Sequence, residues 1–127
     1  MLTRHNPPHI APADSEYSQG VEAPAARTLY ISGQTGVLPD GRSAGGIEEQ
    51  CEWAWKNLIA VLESAGMSLA NVAATTIYLT HPKYIETFRK VRAHVLGDLR
   101  PTSTLVVVSA LVEPDWFVEI EATAIRP

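Results

Sequence analysis

Apolar residues recur at every second position in some stretches and at every third or fourth in others, and the change of period divides the chain into elements. Tyr17 to Glu22 and Thr28 to Gln34 are short β-like runs; the second sets Leu29, Ile31 and Gly33 against Tyr30, Ser32 and Gln34, and the two together predict a hairpin. Leu38-Pro39-Asp40-Gly41 is a turn signal, because proline presets φ and glycine accepts the left-handed position. From Ile47 the spacing becomes helical: Ile47, Cys51, Ala54, Trp55, Leu58, Val61, Leu62 and Ala65 share one face, and Gly66 ends the helix. Val72 to Leu79 is rich in β-branched residues and reads as a strand closed by His81-Pro82. A second helix over about Lys83 to Leu96 turns Tyr84, Phe88, Val91 and Val95 inward and stops at Gly97. Arg100-Pro101 opens a strand from Thr102 to Ala110, and a loop through Glu113-Pro114-Asp115-Trp116 leads to a last strand, Phe117 to Ile125. Residues 1–15, with Pro7, Pro8 and Pro12 and no periodicity, read as an irregular arm.

The order β-β-α-β-α-β-β predicts a two-layer α+β fold, one sheet carrying two helices, in one domain over residues 1–127. On the last strand Val118, Ile120, Ala122 and Ala124 form the core side, while Phe117, Glu119, Glu121 and Thr123 share the other. Two carboxylates in so apolar a strand must reach water, a partner or a substrate, since an unpaired buried charge costs several kcal/mol. The ordinary alternative is a solvated, ion-paired strand face. Leu105 and Val107 are placed with Phe117 on this second sheet face, an apolar surface too large to stand in water, which points to a homo-oligomer that buries it. Ser103, Ser109, Glu119 and Glu121 would then line clefts between subunits.

Composition narrows the classes. Hydrophobic residues make up 46% and charged residues 19% of the 127, enough for a single buried core. The stretch from Pro101 to Val112 is too short and too rich in hydroxyls to span a bilayer, and Met1 to Pro12 lacks the apolar run of a signal peptide, so a cytoplasmic protein with no membrane partner is expected. A formal net charge of −4 argues against a nucleic-acid platform, the cluster Arg89, Lys90, Arg92 and Arg100 being the local exception. The single cysteine, Cys51, lies within a helical pattern where a small buried apolar role fits best. His5, His9, His81 and His94 show no metal-ligand spacing, so no metal is expected.

Tyr17-Ser-Gln-Gly-Val21, Tyr30-Ile-Ser-Gly-Gln34, Pro39-Asp-Gly41, Glu49-Gln50, Asn57-Leu58, Ala65-Gly66-Met-Ser68, Thr76-Ile-Tyr-Leu-Thr80, Arg100-Pro101 and Val118-Glu-Ile-Glu121 follow one another in an order and spacing that resembles the RidA family, also called YjgF, from about Ala11 to Arg126. The resemblance implies a chorismate-mutase-like fold and a homotrimer whose sheets form a central barrel, with small-molecule sites at the subunit interfaces. It implies a hydrolase that converts short-lived enamines and imines to carbonyl products and ammonia, with no cofactor. By the same resemblance Glu119 would activate the water, and Tyr17, Ser32 and Gly33 would line the pocket beside Leu105. For Tyr17 and Ser32 the ordinary alternatives are a packing tyrosine and a strand-end turn.

One position departs from that pattern. Where the deaminating members carry an arginine that pairs with the substrate carboxylate, this chain has Ser103, whose single neutral donor cannot replace a guanidinium fork. Three readings stay open: Arg89, Arg92 or Arg100 supplies the charge; the pocket takes a substrate other than the usual 2-imino acid; or the protein is a non-catalytic binding or regulatory trimer. A solvated helix face is the ordinary alternative for Arg89 and Arg92.

Overall fold

The computed structural model describes residues 2–8, 17–22 and 26–127. Among these described residues six strands, β1 (Thr3–His5), β2 (Gly20–Glu22), β3 (Arg27–Thr35), β4 (Val72–Leu79), β5 (Thr102–Val107) and β6 (Val118–Arg126), accompany two α-helices, α1 (Ile47–Ser64) and α2 (Ile85–Leu96). The main sheet has the order β3-β6-β4-β5, with β4 and β5 parallel and the other pairs antiparallel. Both helices pack on one face of it, so the expected two-layer α+β arrangement of two helices on a mixed sheet is present.

The periodicities explain the core. α1 buries Cys51, Ala54, Trp55, Leu58 and Leu62, and α2 buries Phe88, Val91 and Leu96. They meet Ile77 and Leu79 of β4 and Val118, Ile120, Ala122 and Ala124 of β6. Trp55 of α1 stacks on Phe88 of α2 with ring centroids 6.4 Å apart, joining the two helices. Each fully buried large side chain contributes about 1.5–3 kcal/mol, so this layer carries most of the hydrophobic stabilisation. At the end of α1, Gly66 takes φ 69°, as its C′ position requires. Arg126 Nη1 donates to the Gly66 carbonyl at 2.7 Å and Arg27 Nη2 to that of Ala65 at 3.4 Å, so the paired ends of β3 and β6 satisfy the helix terminus.

Three expectations need correction. The hairpin between Tyr17–Glu22 and Thr28–Gln34 does not form: β3 pairs with β6, and β2, shortened to Gly20–Glu22, pairs with β1. Strands β3 and β6 each run nine residues, and their pairing seats Ile31 opposite Ala122 in the core, which a three-residue strand cannot match. The stretch expected to be an irregular arm contains β1, while residues 9–16 lie outside the described residues. The third correction concerns β5, which ends at Val107 rather than Ala110 and has the opposite phase to that expected. Ser103 lies beside Thr75, Leu105 beside Ile77 and Val107 beside Leu79, and Thr75, Ile77 and Leu79 are all buried on the helix side. Ser103, Leu105 and Val107 therefore share the helix side, and Thr104 and Val106 take the open face. The run Leu105-Val106-Val107-Val108 is apolar at every position, so it contains no alternation from which a phase can be read.

A smaller adjustment concerns α2, which begins at Ile85 after a 3₁₀ turn over Pro82–Tyr84, started by His81 accepting the Lys83 N–H at 3.0 Å. Among the described residues no helix is long and apolar enough to cross a membrane.

Candidate active site

The sheet sorts the sequence-predicted residues into two groups. Glu119, Ser32 and Gly33 belong to the open face, whereas Tyr17, Arg89, Arg92, Ser103 and Leu105 meet at a cavity on the helix side.

On the open face, β6 presents Glu119 between Thr35 of β3 and Tyr78 of β4. The register of β3 on β6 shifts here: Ile31 stands opposite Ala122 and Gln34 opposite Ile120, leaving Ser32 and Gly33 both facing Glu121 as a bulge. The bulge brings the β3 backbone under the Glu119 carboxylate so closely that a Cβ on Gly33 would lie 2.2 Å from Glu119 Oε2. Glycine is required there by space rather than by torsion. Two residues along β6, the Tyr78 hydroxyl donates to Glu121 Oε1 at 2.5 Å. That hydrogen bond, with some burial and the negative charges of Glu121 and Glu119, holds the Tyr78 phenol above its ordinary value of 10.0. Glu121 is thereby engaged by a phenol, while Glu119 borders a cleft of about 370 Å³ formed with Tyr78, Val108, Ala110, Leu111 and Val112.

Because the obstructing atom is the end of a flexible side chain, Gly33→Ala is expected to displace the carboxylate rather than the strands. Displacement of about 1 Å is enough for a 10- to 100-fold loss of any activity that uses Glu119. Thermal unfolding and steady-state rates measured together check this: an unchanged rate would show that the carboxylate's seat has no catalytic importance.

On the helix side, the cavity of about 230 Å³ is lined, among the described residues, by Tyr17, Arg89, Arg92, Ser103 and Leu105. Ser18 bridges to Thr102 through the backbone and its hydroxyl donates to the Arg100 carbonyl, which fixes Tyr17 beside the start of β5. Arg92 is only 4% exposed, an unusual burial for arginine. Its Nη1 donates to Ser103 Oγ at 3.1 Å, and its guanidinium carbon stands 5.4 Å from the Phe88 ring centre. Arg89, one turn earlier, is exposed at the mouth. Arg100 is turned elsewhere, with Nη1 donating to the carbonyls of Gly97 at 2.7 Å and Leu99 at 2.8 Å.

Other candidates fall away from the chemistry. Cys51 is fully buried in α1, and desolvation, with Glu52 and Glu48 adding to it, pushes its thiol up to about 12, so it is no thiolate nucleophile at neutral pH. Trp55 belongs to the core, and Trp53 is half-buried on α1 beneath Lys56 Nζ, 4.5 Å from the ring. Among the described residues, no three His, Cys, Asp or Glu side chains gather as metal ligands. Tyr78 was missed by the sequence reading; the available signal was its place at period two with Thr76, on the side of β4 opposite Ile77 and Leu79.

Comparison with known proteins matches this architecture. The family model described as endoribonuclease L-PSP matches residues 8–126. A RutC family protein of Pyrococcus horikoshii is 33% identical over 99% of this chain and 96% of its own length. The human 2-iminobutanoate/2-iminopropanoate deaminase is 34% identical over 87% of this chain and 80% of its own. Among solved structures, YyfB of Yersinia pestis, a protein of unknown function in the conserved Rid family, superposes with a TM-score of 0.89 at 29% identity, covering 98% of both chains. The fold is therefore the chorismate-mutase-like α+β fold of those neighbours, and the chain belongs to the RidA/YjgF family.

Proposed function

We propose that this protein hydrolyses a small, reactive enamine or imine to a carbonyl product and ammonia. The observation that carries the reading is the Glu119 carboxylate laid over Gly33 in the β3 bulge, at the edge of an open cleft. An imine carbon is already electrophilic, so catalysis needs a held substrate, an oriented water and a group to move protons. An enamine first tautomerises to its imine, the N–H proton moving to the carbon. Glu119 then takes a proton from the water as its oxygen attacks the C=N carbon and returns it to the nitrogen. In the resulting carbinolamine it moves the hydroxyl proton to the nitrogen as the C–N bond breaks, the C=O forms and ammonia leaves. No metal or cofactor enters this step. Relatives named as 2-iminobutanoate/2-iminopropanoate deaminases support the reaction class.

The two residue groups lie on opposite faces of one sheet, so one chain does not bring Glu119 to the arginine cavity. Their joint action requires a cleft between copies, and a homotrimer packing the open faces into a barrel provides one. Its open face carries Tyr30 at 79% and Val106 at 38% exposure, apolar surface that association would cover. Tyr17, Arg92, Ser103 and Leu105 of one copy would then hold the substrate beside the neighbour's carboxylate and the bulge, Ser32 and Gly33, that seats it.

The test generates imines in situ, 2-aminoacrylate with a serine-dehydrating lyase and 2-imino acids with an amino-acid oxidase, and follows loss of the trappable imine. Acceleration by the protein is expected. Absence of acceleration with every imine would overturn hydrolysis and leave a ligand-binding trimer.

A further inference from the structure

We infer that the helix-side cavity selects a dicarboxylate, with Arg92 holding one carboxylate and Arg89 the other; this deepens the proposed hydrolysis and rests on it, naming the substrate as a dicarboxylic imine or enamine.

The guanidinium groups come from one helix, three residues apart, a spacing that puts their Cβ atoms roughly 5–6 Å from each other on the same face. Long side chains rooted that close together can present their two guanidinium groups to the two carboxylates of a four- or five-carbon diacid. Arg92 is the inner of the two. Burial, the hydrogen bond from Nη1 to Ser103 Oγ and the Phe88 ring fix its plane before any ligand arrives. A guanidinium whose rotamer is already set loses little entropy on forming charge-assisted bonds to a carboxylate. Ser103 is short enough to leave space in front of β5 for the Arg92 head, and its hydroxyl accepts one of the guanidinium protons. Arg89 lines the same cavity but is exposed, at the entrance. A monocarboxylate would use the inner guanidinium and leave the outer one in water, whereas a short diacid would engage both. The cavity volume of about 230 Å³ suits a ligand of that size. Tyr17 and Leu105 supply a wall for the short carbon chain.

The experiment is calorimetric titration of the full-length protein with two unreactive probes of equal length, glutarate and pentanoate. Glutarate is expected to bind at least tenfold more tightly. Arg89→Gln is expected to reduce that ratio to twofold or less while leaving pentanoate affinity unchanged, and Arg92→Gln to weaken both probes at least tenfold. Arg89 is exposed, so its variant folds as the parent does and tests the inference even if Arg92→Gln does not fold. Equal affinities for the probes, no binding of glutarate, or a preference that survives Arg89→Gln would overturn it. Diacid selectivity without hydrolysis of any imine would overturn the hydrolytic reading alone. Hydrolysis of monocarboxylic imines without diacid selectivity would overturn the present inference alone.

Discussion

Replacing Glu119 by glutamine is expected to slow imine hydrolysis by roughly 10²–10⁴-fold, the range for loss of a positioned general base. The amide has nearly the shape of the carboxylate, so the β3 bulge and the space over Gly33 still accommodate it. What it loses is the ability to take a proton from water. Glu121 cannot stand in, because it already accepts the Tyr78 hydroxyl at 2.5 Å and lies two residues along the strand. Carboxylate binding at the helix-side cavity should be unaffected, so the loss falls on kcat rather than on ligand affinity. Rates from the in situ imine assay and affinities from titration separate the two. A Glu119→Gln protein with the parent's rate would remove this residue from the mechanism.

The second large effect is structural. Gln50→Leu should lower unfolding free energy by about 3–5 kcal/mol, since a buried polar group left without a partner costs about 1–3 kcal/mol and two of the three it leaves are only partly buried. Gln50 is 1% exposed in α1 and fully engaged. Its Nε2 donates to the carbonyls of Ala44 at 3.1 Å and Asp115 at 2.8 Å, and its Oε1 accepts the Phe117 N–H at 2.8 Å. Leucine fills similar space and leaves those backbone groups facing an apolar side chain. The deficit is a large fraction of the ~5–15 kcal/mol that stabilises a typical domain. Urea denaturation measures it, and a loss below about 1 kcal/mol would show that water or a local shift replaces the side chain. The effect also reaches the site: Phe117 precedes β6, and Glu119 lies two residues beyond it.

What the sequence disclosed, and what it withheld, follows from the range of the interactions involved. Both helices and strands β4 and β6 are written in local periodicity, so Trp55, Phe88, Ile77 and Ile120 were assignable to the core from spacing alone. Strand partners are not local. Nothing near Thr28–Gln34 indicates that its neighbour is the last strand rather than the preceding one, and the uniformly apolar 105–108 run hides the phase of β5. The candidate residues were legible because Glu119 stands as a charge in an apolar strand and Tyr17, Ser32 and Gly33 fall in recognisable short motifs. Their division between two sheet faces was not, because it depends on that hidden phase. The Arg92–Ser103 hydrogen bond joins a helix to a strand eleven residues on, and only packing reveals it. Gln50 stood in the sequence as part of a motif, but its role is read only from the three backbone groups it joins.

The sheet also keeps apart two kinds of inherited change. Glu119 projects from one side and Ser103 and Leu105 from the other, where they meet Arg92 of α2, while backbone hydrogen bonds hold the strands whichever side chains they bear. Substitutions that reshape the arginine cavity therefore leave the carboxylate's seat over Gly33 intact. A scaffold of this kind can acquire new ligands by drift at one face while the chemistry at the other is conserved, so divergence in specificity need not pass through an inactive ancestor.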